Sequence, residues 1–379
     1  MKIGTIYTLY GRRAGAELCF EKTVDEIHKI DNNVEWIIFC NKEAEKIVKD
    51  RMPYAKPVYN AYLDNQYKKA FWLEFASNNE VKAQQLDCFW IPSGCNHFPG
   101  KWDIPVLTTF HDLGEYHIAN KYSFARMIFR KKICIPRSVK RSALYTTVSF
   151  FTKNDMMKFL DIKEESSIRV IYNGRSPYNS SVPSNSVDII HKLGLKEKKY
   201  FFTPGRTDYI GKGLDVLLEA FRKFASEDKE TELVLVGPQG EGHDIFMSDL
   251  GKSTDISNRI KYLGRVDDDT LSSLYANCKA TVISSRFEGF GFPVLEAMER
   301  GSIVICSDAG SLPEVVGDAA FVFNSGNATE LSQAMHNISN CSEADLENIL
   351  SKGKDCISKF DWAKSAEMYL NCFKQIVSQ

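Results

Sequence analysis

The fold is decided by one stretch of the sequence, Ser284-Ser-Arg-Phe-Glu-Gly-Phe-Gly-Phe-Pro-Val-Leu-Glu-Ala-Met-Glu-Arg-Gly301. An apolar strand ends near Ile283, a loop with two glycines follows, and Pro293 suits the first turn of a helix. Gly289 and Gly291 let backbone amides approach a ligand closely, and the helix N-terminus presents free N–H groups and a positive dipole end. The stretch therefore predicts a phosphate-binding loop between a strand and a helix.

Two carboxylates accompany this predicted anion site. Glu288 lies in the loop and Glu296 is expected in the first helical turn, so the two should reach different parts of one ligand. Carboxylates beside an anion site need a different group to bind, and sugar hydroxyls are suitable donors. The pair therefore favours a ligand that contains both phosphate and sugar.

A second loop supplies positive charge. It reads Thr203-Pro-Gly-Arg-Thr-Asp-Tyr-Ile-Gly-Lys-Gly-Leu214, and it delivers Arg206 and Lys212 between the end of a strand and the start of a helix. Two cations there can neutralise a diphosphate and the charge that develops on a leaving group. A solvated loop with surface charges is the alternative. The presence of the loop that carries Glu288, called the glutamate loop, favours ligand binding instead.

Short apolar runs alternate with longer helical patterns along the whole chain. Such continuously apolar runs are typical of parallel strands buried on both faces, so the alternation predicts two doubly wound parallel-sheet α/β domains facing across a cleft. The predicted strands are Ile3–Tyr7, Trp36–Phe39, Cys88–Ile91, Val106–Phe110, Tyr145–Val148, Val170–Tyr172, Tyr200–Thr203, Leu233–Val236, Ile260–Leu263, Ala280–Ile283, Ile303–Cys306 and Phe321–Phe323.

The domain boundaries follow from composition. A stretch rich in Gly, Pro, Ser and Asn interrupts the alternation, so residues 1–175 are predicted as the first domain and 176–198 as a linker. Residues 199–361 form the predicted second domain. A C-terminal helix at about 362–379 is expected to pack back on the first domain.

Composition excludes several classes of protein. The 48 Lys and Arg residues against 49 Asp and Glu exclude a generally polycationic nucleic-acid binder. No run approaches the ~18 apolar residues of a membrane-spanning helix, and the N-terminus lacks the apolar region of a signal peptide. The ten cysteines are therefore expected to be reduced thiols of a cytoplasmic protein.

Six motifs of the second half occur together. They are Gly205-Arg206 with Lys212-Gly213, Leu233–Gly237, Leu263–Val266, Glu288-Gly-Phe-Gly with Glu296-Ala, Gly310–Ala319 and Phe360–Ala366. This set resembles glycosyltransferase family 4, whose members are retaining, sugar-nucleotide-dependent enzymes with the GT-B fold of two Rossmann-like domains. The resemblance is strong over about residues 200–370 and weak over the first half.

The resemblance implies particular roles. Arg206 and Lys212 would hold the donor diphosphate, Glu288 would bind hydroxyls of the donor sugar, and Glu296 would bind those of the ribose. The remaining donor-binding positions that the resemblance implies are Gly205, Gly289, Phe290, Gly291 and Phe292, with the backbone of Arg265 and Val266 bordering the nucleobase. None of these positions identifies a general base.

The first half carries thinner signals. Gly11-Arg-Arg-Ala-Gly15 follows the first strand and is similar to the family's glycine loop, although Ala14 stands where the family has the first glycine of a pair. Gly15 is therefore a candidate donor-binding position, and an ordinary strand-to-helix turn is the alternative. His111, in a His-Asp-Leu stretch like that of many family members, would approach the donor sugar or acceptor as a catalytic residue.

The run Asp267-Asp-Asp269 satisfies the Asp-x-Asp pattern with which other glycosyltransferases hold a divalent metal. It also directly precedes a helical pattern, where acidic residues cap the helix and meet its positive end. Capping is the favoured interpretation. The sequence therefore predicts a metal-independent enzyme with no cofactor besides the nucleotide-sugar co-substrate.

The stretch Lys121–Arg141 has eight basic residues and no acidic one, with aromatic residues and isoleucines interleaved. Single-stranded nucleic acid could use such a surface, but no nucleic-acid-binding module surrounds it. Attraction to an anionic membrane is one interpretation, at ~1 kcal/mol for each basic residue near the surface, and a solvated helical face is the other.

Together these observations predict a retaining hexosyltransferase that acts on a saccharide or lipid-linked acceptor in cell-surface polysaccharide or glycoconjugate synthesis. It would be cytoplasmic, with peripheral contact at the inner face of the cell membrane through 121–141. Similarity of Phe287–Pro293 and of the His-Asp-Leu stretch to mannosyltransferases favours GDP-mannose as donor. A sugar-nucleotide epimerase and a non-catalytic sugar-nucleotide-binding protein of the same architecture are the alternatives.

Overall fold

The structure, a computed structural model, describes residues 1–11, 15–118, 123–175, 181–252 and 256–378. They form two compact α/β units. The first unit comprises Met1–Pro177 together with Asp361–Gln379, and the second comprises Tyr178–Phe360. Each unit is built on its own parallel sheet, so the predicted fold class is confirmed.

The first unit contains a seven-stranded parallel sheet. Its strands are β1 (Lys2–Tyr7), β2 (Glu35–Cys40), β3 (Lys56–Tyr59), β4 (Cys88–Ile91), β5 (Val106–Phe110), β6 (Leu144–Thr147) and β7 (Ile168–Val170). They lie in the order β3-β2-β1-β4-β5-β6-β7, so the chain begins in the middle of the sheet and winds outward in both directions.

Helices connect these strands. They are α1 (Gly15–Ile30), α2 (Lys42–Arg51), α3 (Gln66–Phe71), α4 (Ser77–Ala83), α5 (Phe124–Ile128), α6 (Ile135–Arg141) and α7 (Phe150–Phe159). Two π-helical segments, Trp72–Ala76 and Phe129–Cys134, join α3 to α4 and α5 to α6.

The second unit contains a six-stranded parallel sheet in the order β10-β9-β8-β11-β12-β13. Its strands are β8 (Tyr200–Pro204), β9 (Glu232–Val236), β10 (Ile260–Tyr262), β11 (Ala280–Ile283), β12 (Val304–Ser307) and β13 (Phe321–Phe323). Its helices are α8 (Ser186–Lys192), α9 (Leu214–Glu227), α10 (His243–Gly251), α11 (Asp268–Asn277), α12 (Phe292–Glu299), α13 (Leu312–Val316), α14 (Ala328–Asn340) and α15 (Glu343–Ile357).

The last helix, α16 (Trp362–Val377), belongs to the first unit. The side chain of Asp361 caps it by accepting a hydrogen bond from the Lys364 amide. Phe373 is fully buried and its ring lies 6.1 Å from that of Trp36 and 6.0 Å from that of Trp90, on the sheet face that α1 and α2 also cover. The opposite face of the sheet is covered by Trp72 and its neighbours from the α3–α4 connection.

All twelve predicted strands are present within two residues of their predicted ends, and the structure adds β3. This strand pairs only with β2 at the sheet edge, contains Pro57, and has exposed residues at both ends. It therefore lacks the continuous apolar run by which buried strands are recognised.

The predicted linker 176–198 contains a helix in its second part. Ser186–Lys192 forms α8, which packs on α11 and buries Ile190 completely. Residues 176–180 lie outside the described residues.

A buried ion pair stabilises the α5–α6 segment. Arg130 is 4% exposed, and its guanidinium donates to the two carboxylate oxygens of Glu115 at 3.3 and 3.1 Å and to Asn96 Oδ1 at 2.6 Å. Glu115 is also buried. Removing one partner of such a pair leaves an uncompensated charge in a medium that solvates it poorly.

We predict that Arg130→Gln lowers the free energy of unfolding by about 3–5 kcal/mol, because Glu115 then stays buried without a cation. Lys132→Gln, at an exposed position two residues further on, is the matched control and should change stability by less than about 0.5 kcal/mol. Urea denaturation of both variants measures the difference. Equal stabilities would contradict the role assigned to the pair.

Candidate active site

The two loops singled out in the sequence meet in the second unit. Strands β8 and β11 are parallel neighbours, so the loops that follow them leave the sheet at the same edge. Arg206, Lys212 and Glu288 consequently line one pocket. The pocket is completed by Thr203, Pro204, Gly205, Thr207, Leu214, Leu235, Ile283, Ser284, Ser285 and Pro293.

Lys212 and Glu288 are in direct contact. The ammonium nitrogen of Lys212 lies 2.5 Å from Glu288 Oε1, and the Ser285 hydroxyl donates to the same oxygen at 2.8 Å. Both charged side chains remain partly exposed to the pocket, 27% for the lysine and 14% for the glutamate. A cation and a carboxylate that were predicted for different parts of one ligand are therefore held in a single charge-assisted hydrogen bond.

Two glycines allow neighbouring loops to approach the loop of Glu288 closely. Gly213 has φ +61°, and a Cβ atom there would lie 2.0 Å from the Ser284 carbonyl oxygen. Gly310 has φ +64°, and a Cβ atom there would lie 2.1 Å from the Glu288 carbonyl oxygen, which also accepts from the Ser311 amide at 3.0 Å. Both positions combine a left-handed backbone with a backbone contact that excludes any side chain.

A residue that the sequence did not single out ties the two loops together. Arg286 donates to both carboxylate oxygens of Asp215, at 2.6 and 2.7 Å, and to the Ile210 carbonyl at 2.9 Å. Its amide donates to the Gly211 carbonyl at 3.0 Å. In the sequence, Arg286 could be noticed only because it lies two residues before Glu288. Its partner Asp215 is 71 residues away, so the pair was not recognisable.

Arg206 and Arg265 are exposed, and neither makes an ion pair or a side-chain hydrogen bond with the residues that the structure describes. Arg206 lines the pocket, next to Gly205 with φ +116°. Arg265 and the half-buried Val266 follow β10 and are not among the pocket's lining residues.

Glu296 lies deeper than predicted. It is the fifth residue of α12, in the second helical turn rather than the first, and it is buried. Its Oε2 accepts a hydrogen bond from the Tyr275 hydroxyl at 2.9 Å, and burial together with this carboxylate raises the pKa of Tyr275 well above its usual value. Glu296 does not line the pocket of Lys212 and Glu288, so its ribose-binding role stays a prediction.

The aromatic residues of the glutamate loop have structural side chains. The ring of Phe290 is buried, 5.1 Å from that of Phe292 and 5.6 Å from that of Phe360. Gly291, with φ +96°, is the N-cap of α12, and Gly289 precedes it in a half-buried position. Phe290 therefore offers its backbone rather than its ring to a ligand, whereas the side chain of Phe292 is half-buried.

The two predicted residues of the first unit lie beyond the carboxyl ends of its strands. Gly15 is the exposed first residue of α1, and Arg12–Ala14 lie outside the described residues. His111 follows β5, and its Nε2 lies 2.9 Å from the Pro92 carbonyl oxygen. A carbonyl only accepts, so Nε2 carries the proton, and burial lowers the pKa of His111 and favours the neutral ring.

Asp267 is the N-cap of α11, as predicted. Its Oδ1 accepts from the Thr270 amide at 2.7 Å, and this hydrogen bond lowers the pKa of Asp267. Asp268 and Asp269 lie in the first turn. No cluster of three or more potential metal ligands occurs among the described residues.

Comparison with known proteins assigns both units. A family model described as Glycosyltransferase Family 4 matches residues 15–177, and one described as Glycosyl transferases group 1 matches residues 187–354. O-antigen chain mannosyltransferase B of Escherichia coli is 28% identical over 276 residues, which cover 71% of this chain and 70% of that protein. O-antigen chain mannosyltransferase RfbU of Salmonella typhimurium is 25% identical over 272 residues, with coverage of 71% and 70%.

Solved structures share the fold. The crystal structure of Anabaena Alr3699/HepE in complex with UDP and glucose matches with a TM-score of 0.74 and 18% identity over 99% of this chain and 100% of that chain. The family-model matches and the shared fold of two parallel-sheet units thus identify a glycosyltransferase with the GT-B fold. Within that class, the chain belongs to glycosyltransferase family 4, group 1, whose two models successively match its two halves.

We predict that Arg286→Gln and Asp215→Asn each lower the turnover number by about 10-fold. Either change breaks the Arg286–Asp215 pair, so the glutamate loop is no longer held at its position beside Lys212. The double variant should lose little more, since both changes remove the same contact. Steady-state kinetics with a cognate donor measures the effect. Lys352→Gln, which breaks the exposed pair with Asp318, is the matched control and should keep full turnover. Additive losses in the double variant would contradict the role assigned to the Arg286–Asp215 pair.

Proposed function

We propose that the protein is a retaining, metal-independent hexosyltransferase that transfers mannose from GDP-mannose to a saccharide or lipid-linked glycan acceptor. The observation that carries the proposal is the pocket in which Arg206 and Lys212 lie beside Glu288. The similarity to two O-antigen mannosyltransferases supports mannose and a role in cell-surface polysaccharide synthesis.

The chemistry follows from the charges in the pocket. Transfer breaks the bond between the anomeric carbon of the sugar and a diphosphate oxygen, so negative charge grows on the leaving diphosphate. Arg206, which has no ionic partner among the described residues, and Lys212 would stabilise that charge. Glu288 would accept hydrogen bonds from donor-sugar hydroxyls, sharing its contact with Lys212.

Other groups would act around this centre. Glu296 and the backbone near Arg265 would hold the nucleoside, and Gly205 with the backbone of 289–292 would line the donor. His111, neutral and protonated at Nε2, would offer the lone pair of Nδ1 to a hydroxyl of the donor sugar or acceptor. The nucleotide sugar is a co-substrate, so no resident cofactor is involved.

A lipid-linked acceptor would be met at the inner face of the cell membrane. None of the helices in the described ranges is both long and apolar enough to cross a bilayer. We propose peripheral contact of a cytoplasmic enzyme, for which the sequence pointed to the basic stretch 121–141.

An epimerase acting on the nucleotide sugar is the second candidate. When a diphosphate departs in such a reaction, it needs the same stabilisation by positive charge as in the transfer reaction. The donors are separated by thermal shift with GDP-mannose and with UDP-glucose, the second because the structural neighbour Alr3699/HepE binds UDP and glucose. A donor present at 100 times its Kd stabilises the protein by about 2.7 kcal/mol. Interconversion of the bound donor without any acceptor would favour the epimerase.

We predict that Arg206→Ala and Lys212→Ala each lower turnover by about 100-fold, because fixed positive charge is lost where the diphosphate departs. Lys223→Ala, an exposed lysine of α9 in the same unit, is the control and should be as active as the native enzyme. Transfer to acceptor is measured with radiolabelled donor. Unchanged kinetics in both site variants would refute the assignment.

We also predict that EDTA leaves the transfer rate largely unchanged, because Asp267 is engaged as a helix cap. Proton NMR of the fresh product should show the anomeric configuration of the donor sugar. An EDTA-abolished reaction that Mg²⁺ or Mn²⁺ restores would show metal dependence, and inverted configuration would show that the enzyme does not retain.

A further inference from the structure

One helix of the first unit turns aromatic side chains toward solvent. Tyr67, Phe71 and Phe75 are spaced four residues apart along α3 and the π-helical segment, and they are 73, 53 and 70% exposed. The rings of Phe71 and Phe75 lie 5.3 Å apart, and the exposed Tyr62 stacks on Phe71 at 6.2 Å. These four residues are called the aromatic ridge. A contiguous apolar surface of this kind marks an interaction site.

The ridge is rigidly supported. On the inner side of the same helix, Trp72 and Leu73 are buried in the core of the first unit against Leu63 and Phe39. The Trp72 indole also donates to Glu80 at 3.2 Å. The helix therefore already has a complete inner face, and the ridge is a second apolar face that nothing in the described part of the chain covers.

Positive charge lies beside the ridge. Glu74, next to Phe75, accepts from Arg137 and Arg141 at 2.9 Å each, and Lys101 lies 3.4 Å away. The hydrogen bond from Arg141, followed by that from Arg137, lowers the pKa of Glu74 to about 2. Three cations thus share one carboxylate, which leaves an excess of two positive charges.

A depression of about 460 Å³ opens among these cations, lined by Lys101, Pro136, Arg137, Lys140 and Arg141. These five residues are called the basic depression. Lys140 is exposed and adds a further charge, and it forms no ion pair with an acidic side chain in the described ranges. Glu74 links the depression to the ridge, because it lies on the ridge helix between Phe71 and Phe75 and binds the arginines of α6.

The surface differs from the one that the sequence indicated. Within 121–141, Arg130 is buried against Glu115, and Arg137 and Arg141 are held by Glu74. Lys121 and Tyr122 lie outside the described residues. The stretch therefore contributes one side of the basic depression and the exposed Phe124 and Ile128, whereas the aromatic ridge comes from residues 62–75, which the sequence did not single out.

We propose that the aromatic ridge and the basic depression together form a docking surface for an anionic lipid bilayer. Aromatic rings of this kind sit at the level of the headgroups, and neighbouring cations bind lipid phosphates. A soluble saccharide would also stack on aromatic rings, but it gains nothing from an excess of positive charge. The proposal extends the proposed function and rests on it in one respect. A lipid-linked acceptor would give the enzyme a reason to bind the membrane.

The test is sedimentation of the full-length protein with vesicles of phosphatidylcholine, with and without 30% phosphatidylglycerol, in the absence of donor. We expect binding to the anionic vesicles at low salt, and its loss at 1 M salt, where charges are screened beyond ~3 Å. Absence of binding at low salt, or equal binding to both vesicles, would overturn the proposal.

Variants locate the surface. Phe71→Ser with Phe75→Ser, and separately Lys101→Gln with Lys140→Gln, should each weaken binding at least 10-fold. Ile245→Ser with Met247→Ser, and Lys223→Gln with Lys252→Gln, carry the matched changes on exposed positions of the second unit and should bind like the native protein. Native-like binding by both first-unit variants would refute the location, and the lysine variant remains decisive if the serine variant fails to fold.

Two further measurements distinguish membrane docking from the proposed transfer reaction and from saccharide binding at the ridge. Lys212→Ala should sediment like the native protein, so a failure of the proposed transfer reaction leaves the docking result intact. A soluble mannan should not compete with the anionic vesicles. Competition by mannan, together with loss of mannan binding in the serine variant, would instead make the ridge a saccharide site and overturn the proposal.

Discussion

The parallel pairing of β8 and β11 is the constraint on which the candidate active site depends. The two strands are far apart in sequence, and only their adjacency brings the loops that carry Lys212 and Glu288 to one edge. Close approach of these two loops then requires backbone to meet backbone at Gly213, and Gly310 in the loop after β12 meets the backbone of Glu288 in the same way. Strand order, glycine conformation and ionic contact are thus successive consequences of one sheet topology.

Carboxylates that gather cations from other segments recur in this chain. Glu288 holds Lys212, Glu115 holds Arg130, and Glu74 holds two arginines and a lysine. The environment decides the outcome in each case. The pair in the pocket remains open to a ligand, the pair of Glu115 is buried and structural, and the cluster at Glu74 keeps an excess of positive charge at the surface. A nearly neutral net charge conceals these local differences.

The sequence predicted what is local and missed what depends on distant partners. Buried strands were recognisable because both their faces are apolar, whereas β3, at an edge and with Pro57, was not. The linker region concealed α8, since Ile190 is its one fully buried side chain. Lys212 and Glu288 were found through their loops, but the Arg286–Asp215 pair joins residues 71 positions apart. Glu296 was assigned a turn too early, and only the helix geometry directs it to Tyr275.

The return of α16 to the first unit has a consequence for synthesis of the protein. Trp36 and Trp90 form the surface that receives Phe373, yet about 180 residues of the second unit are translated between Pro177 and Asp361. At ~5–20 residues per second, the ribosome needs roughly 10–40 s for that interval. During this time the first sheet lacks one helix, and the part of its face that α16 covers, near Trp36 and Trp90, is open to water and to other nascent chains. The order in which the chain is made therefore leaves an apolar surface uncovered until the last helix is translated.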